Sequence, residues 1–109
     1  DETLRLICTF EMDPPTERLP ALYDLLNRCN DQVWTGAYSF WEDQKLMVWR
    51  YGLLLSGEQI ASPEQIDDMI ASAIMSSERY YSAFQLVAWS DSTPKDALKV
   101  AIAEAYGRA

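Results

Sequence analysis

The stretch from Val33 to Gly57 is dense in Trp, Tyr, Phe and Val and is interrupted once, by the polar group Glu42, Asp43, Gln44 and Lys45. Aromatic and β-branched side chains suit a pleated, half-buried surface, and a polar break between two such runs marks a hairpin turn. With Asp43 and Gln44 at its centre, Phe40 faces Met47, Tyr38 faces Trp49 and Gly36 faces Tyr51. Asp-Gln is poorly suited to a two-residue turn, so a longer loop stays open. Alternation places Trp34, Tyr38, Phe40, Trp49 and Tyr51 on one side of the sheet, where large rings fill the space beneath helices. Trp41 and its neighbour Leu46 fall on the other side.

A second strand pattern runs from Leu4 to Asp13. Leu4, Leu6, Cys8, Phe10 and Met12 point one way, and Arg5, Thr9, Glu11 and Asp13 the other. Pro14 and Pro15 end it, because proline lacks the ladder donor. A helix follows from about Glu17 to Asp31, with Thr16 as its cap and Leu19, Leu22, Tyr23, Leu26 and Cys29 as a buried stripe. Ser62, Pro63 and Gln65 form a helix start: a hydroxyl cap, a first-turn proline and a residue placed to close a capping box. The stripe then continues through Ile66, Met69, Ile70, Ala73, Ile74, Ser77, Tyr81 and Phe84. The pattern can reach Trp89, but that length exceeds most globular helices, so a bend or break is expected between Tyr81 and Ala83. Thr93 and Pro94 open a last helix through Ala97, Leu98, Ala101, Ile102 and Ala105, ending at Gly107.

This order of strand, helix, hairpin, helix, helix implies an α+β class, with helices packed on a mainly antiparallel sheet. At 109 residues, 49% of them apolar, the chain suits one domain with one core. Nine Lys and Arg against 17 Asp and Glu give a net charge of −8, which disfavours nucleic acid and anionic membrane surfaces as partners. Basic or apolar peptide surfaces suit that charge better. No run approaches a membrane span, and Cys8 and Cys29 read as reduced core thiols of a soluble, cytoplasmic protein.

The chain contains no histidine, which removes the commonest general base and metal ligand. Its four glycines are too scattered for a phosphate loop. Asp67 and Asp68 are adjacent on a helix and diverge, while Glu42 and Asp43 suit a turn. No catalytic residue, cofactor or metal site is expected. Binding is, with Trp41, Leu46, Val48 and Arg50 on the outer sheet face as the candidate protein-binding surface. Arg50 has two available partners, Glu11 on a neighbouring strand or a carboxylate of the bound protein, and the internal pair is the expected one.

Three segments carry a family likeness: Leu46 to Leu55 with its Trp49-Arg50-Tyr51 centre, Ser62-Pro63-Glu64-Gln65-Ile66, and Glu78-Arg79-Tyr80-Tyr81-Ser82-Ala83-Phe84-Gln85 on to Trp89. With Thr9 to Pro14 and Leu25 to Asn30, they make the chain resemble the YbjN family over nearly its whole length. Relatives usually carry Pro where this chain has Ser82, and often Gly where it has Ser90. The resemblance implies a putative bacterial sensory transduction regulator with a fold like that of type III secretion chaperones, which are small, acidic, dimeric α+β proteins that hold extended client segments. It also implies that 1–109 is a single domain lacking N-terminal elements of its full-length relatives. The resulting expectation is a homodimeric protein-binding module with no enzymatic activity; the alternative is a structural or assembly subunit that acts only through self-association.

Overall fold

The computed structural model describes residues 2–33 and 35–107. Strand β1 (Glu2–Glu11) leads through a short 3-10 turn (Thr16–Arg18) into helix α1 (Leu19–Gln32). Strands β2 (Ala37–Trp41) and β3 (Leu46–Leu55) form the hairpin, and helices α2 (Pro63–Trp89) and α3 (Pro94–Gly107) close the chain. The sheet is antiparallel in the order β1-β3-β2, so β3 is its centre. The class is α+β, as the order of sequence patterns predicts.

The hairpin register follows the aromatic spacing: Phe40 pairs with Met47 and Tyr38 with Trp49. The ladder ends at Ala37 opposite Arg50, one step short of Gly36. The turn takes the longer form, a loop of Glu42 to Lys45 in which the Lys45 N–H donates to the Glu42 carbonyl at 3.2 Å. Lys45 closes it in the left-handed region, φ 57°. Trp34, assigned to the inner face by alternation, lies outside the described residues.

Helices α1 and α2 lie against one sheet face, where Tyr38, Met47 and Trp49 are buried with Leu22, Leu25, Cys29, Phe84 and Val87, and α3 packs on the two helices. Phe10 and Tyr38 each meet α2 edge-on, at 5.2 Å from Tyr81 and 5.1 Å from Phe84 between ring centroids. Trp49 stacks on Tyr51 beside them. Both cysteines are free, Cys29 fully buried and Cys8 half-buried.

Four local expectations need correction. Thr16 does not cap α1: the 3-10 turn intervenes, and the N-cap residue Arg18 makes no side-chain cap. Its guanidinium instead crosses to the far end of α2, donating from Nε to the Val87 carbonyl at 2.8 Å and from Nη2 to the Ser92 carbonyl at 2.7 Å. On α1, Leu25 and not Tyr23 joins the core, and Tyr23 stays exposed beside Phe40. Helix α2 runs 27 residues without a break, because Ser82 keeps the amide that proline would remove and Tyr80, Ala83, Phe84 and Val87 are all buried. Along α2, finally, Ile66, Ile70, Ile74 and Tyr81 of the expected stripe are exposed, whereas its Met69, Ala73 and Phe84 do face inward, joined by Tyr80.

The helix starts at Ser62 and Thr93 form as their sequences dictate. Ser62 and Gln65 exchange backbone-to-side-chain bonds at 2.8 and 3.1 Å, closing the capping box. The Asp96 N–H donates to Thr93 Oγ1 at 3.2 Å.

Layering helices on one side only leaves the molecule flat, 50 × 37 × 20 Å. Its accessible surface, 7114 Å², exceeds the roughly 6,200 Å² usual for a folded chain of this size.

Candidate protein-binding face

In an antiparallel ladder, directly opposed residues project to the same side. The register therefore assembles the outer face from three strands: Arg5, Ile7, Thr9 and Glu11 of β1, Gly52, Arg50, Val48 and Leu46 of β3, and Ala37, Ser39 and Trp41 of β2. Trp41, Leu46, Val48 and Arg50 do share this face. Trp41 and Leu46 oppose each other at the hairpin end and are half-buried. Val48 is 0% exposed between Thr9 and Ser39, so it forms floor and not a contact point. Arg50 is exposed between Ile7 and Ala37.

The expected Arg50–Glu11 ion pair does not form. Register explains why, since Glu11 stands opposite Leu46, two outward positions along β3 from Arg50. Arg50 instead points Nη2 at Ser39 Oγ, 3.4 Å away. Its charge is left uncompensated among the described residues.

Beside Arg50 the face sinks into an open trough of about 610 Å³, lined by Arg5, Ile7, Ala37, Trp41, Arg50 and Gly52 together with parts of Leu6, Gly36 and Tyr51. Its origin is steric. Gly52 lies opposite Arg5 and Ala37 opposite Arg50, so two small residues leave a floor between long side chains. Arg5, Ile7 and Gly52 were not singled out as site residues from sequence.

The two sheet edges differ. On β2, the Asn30 side chain acts as a short extra strand: its Oδ1 accepts from the Tyr38 N–H at 2.7 Å and its Nδ2 donates to the Tyr38 carbonyl at 3.0 Å. That contact blunts the edge where another chain would add. It also shows that the Tyr38 backbone points away from β3, so alternation directs Trp49 toward β1 and leaves the backbone groups of Arg5, Ile7 and Thr9 on the β1 edge. No described element pairs with that edge.

The family model of YbjN, described as putative bacterial sensory transduction regulator, matches residues 1–86. This chain belongs to the YbjN family. No curated protein and no solved structure matches it. The YbjN match takes in all three strands, α1 and most of α2, so the outer face and its trough lie wholly within the family domain, whereas α3 lies beyond it.

Burial pushes the Cys29 thiol up to about 12, and it raises the Tyr38 phenol against the opposing hydrogen bond with Ser76. Tyr23 is raised to about 12 by desolvation and then by its hydrogen bond to Glu42. None of the three lines the trough. Among the described residues no three His, Cys, Asp or Glu side chains gather where they could hold a metal ion, and no helix is long and apolar enough to cross a membrane.

Proposed function

We propose that this YbjN-family chain is a non-catalytic protein-binding module that regulates by holding an extended segment of another protein along the β1 edge and the adjoining outer sheet face. The observation that carries the reading is the pairing of an open ten-residue edge with a concave, uncovered face on the same strand. A segment added to such an edge gains main-chain hydrogen bonds, and its alternate side chains reach the face for specificity. Trp41, Leu46 and Arg50 flank the path, with Val48 beneath. The reading agrees with the family description and with the client-holding role that the chaperone resemblance implies.

The test is a pull-down of the intact protein from its own cells, compared with the Trp41→Ala, Arg50→Ala double variant after circular dichroism has established that the variant folds. Loss of the wild-type partner supports the face; undiminished capture removes it. A second reading, assembly through self-association, is favoured by the exposed stripe Ile66, Ile70, Ile74 and Tyr81 on α2. A second copy seated there would make the homodimer. Sedimentation at tens of micromolar decides, with Ile70→Glu and Ile74→Glu expected to yield monomer.

A further inference from the structure

The chain as a whole carries 17 acidic against nine basic side chains, yet among the described residues the trough is lined by two arginines and no carboxylate. Neither Arg5 nor Arg50 forms an ion pair among the described residues, whereas the ion pairs that do form, Arg28–Asp24 and Lys45–Asp13, lie elsewhere. The local sign of charge is thus the reverse of the global one. We infer that the trough is a docking site for an acidic, extended protein segment, its carboxylates taken by Arg5 and Arg50 and an apolar side chain laid against Trp41 and Ile7. This rests on the protein-binding reading above and names the chemistry of its partner.

The spacing fits that occupant. Arg5 opposes Gly52, and Arg50 is two residues from Gly52 on β3, so the two arginines are diagonal neighbours with backbones about 7–8 Å apart. An extended segment repeats its side chains on one side about every 6.6–6.8 Å. Carboxylates at alternate positions therefore meet both guanidiniums in turn, each able to accept a bidentate pair of hydrogen bonds. Ile7, 49% exposed, and the Trp41 ring supply apolar contact. Gly52 keeps the floor low enough for the acidic side chains to descend.

Nucleic acid fits less well. Duplex binding typically draws on some 6–10 phosphate contacts, and two arginines on a body of charge −8 fall far short. A basic peptide, which the global charge would attract, meets the wrong sign at the trough itself.

The global field and the local site thus favour opposite partners, which makes the test sharp. Two fluorescein-labelled nine-residue peptides are compared by anisotropy on the 109-residue chain, one carrying Glu at alternate positions with Val and Trp between, the other identical but with Lys for every Glu. The expected result is binding of the Glu peptide about tenfold tighter than the Lys peptide at low salt, weakening as salt screens the pairs. The double variant Arg5→Glu, Arg50→Glu should invert the preference. Gly52→Val should weaken the Glu peptide about tenfold by filling the floor without changing charge, and it should fold, because a Cβ there meets only Thr3 Cγ2 at 3.5 Å.

Equal or tighter binding of the Lys peptide, or arginine variants that leave Glu-peptide binding unchanged, overturns the acidic chemistry while the protein-binding reading stands. Tighter binding of a single-stranded ten-nucleotide DNA than of the Glu peptide overturns it in favour of phosphate. If neither peptide binds, the inference fails, and the pull-down with the Trp41 and Arg50 variant decides the wider reading separately.

Discussion

The indole of Trp49 lies directly beneath the backbone of Gly36, so close that a Cβ on that glycine would stand 2.4 Å from Cζ2 and 2.9 Å from the Arg50 carbonyl oxygen. Gly36 also sits at φ 79°, a conformation that side chains rarely adopt. The largest buried ring of the core thus depends on the absence of one methyl group where the chain enters β2.

Gly36→Ala is accordingly expected to destabilise by at least about 2 kcal/mol, through both the clash and the positive φ. Trp49→Ala should cost roughly 3–5 kcal/mol by leaving a cavity between sheet and helices. Urea unfolding followed by far-ultraviolet circular dichroism measures both. A Gly36→Ala protein as stable as wild type would show that the indole moves aside freely.

Arg18 ties the start of α1 to the end of α2 through two charge-assisted hydrogen bonds to carbonyls. The Val87 carbonyl belongs to the last turn of α2 and has no partner further along the helix, so a cation there is favourable twice over. Arg18→Ala should cost about 2–3 kcal/mol, and Arg18→Lys should restore only part of it, since an ammonium group lacks the planar fork. The same urea titration reads the order wild type, Lys, Ala.

Ser82 carries the opposite sign. Its hydroxyl is buried within α2 and finds no hydrogen-bond partner among the described residues. Ser82→Ala removes that orphan and installs the best helix former, so it should stabilise by about 1 kcal/mol. Thermal unfolding should rise by several degrees for a domain of this size. An unchanged or lowered midpoint would mean that the hydroxyl is satisfied in solution.

What was legible in the sequence was local. The Tyr38–Trp49 register follows from a turn of a few residues, and the capping box at Ser62 lies within one helical turn. The trough was not legible, because Arg5 and Arg50 are brought together by pairing of strands far apart in the chain, and no local pattern sets that register. For the same reason Arg50 was matched with Glu11 and not with Ile7. Helix α2 shows a different limit. Its sequence carries two overlapping apolar stripes, Ile66-Ile70-Ile74-Tyr81 and Met69-Ala73-Tyr80-Phe84, and periodicity alone does not choose which one meets the core. Net charge has a related limit, since it averages over a surface on which one concavity is lined by two arginines.

The last prediction concerns alkaline pH. Burial raises the Cys29 thiol from 9.0 to about 12, so the native state holds a proton that the unfolded chain releases near 9. The unfolded state then binds fewer protons than the native one between those values, and stability falls as pH rises. The contribution is intact below pH 9 and is lost across the window from 9 to 12, with a slope of up to about 1.4 kcal/mol per pH unit for one such group. Tyr38, raised in the same direction by burial, extends the fall at its upper end. Melting temperature measured between pH 7 and 11 should therefore be flat to about 9 and then drop. Cys29→Ala should lower the plateau by leaving a small cavity, yet flatten the descent between 9 and 11. Iodoacetamide at pH 8.5 should label Cys29 only after denaturant is added. Rapid labelling of Cys29 in the native protein, or a descent equally steep in Cys29→Ala, would show that this thiol does not set the alkaline limit.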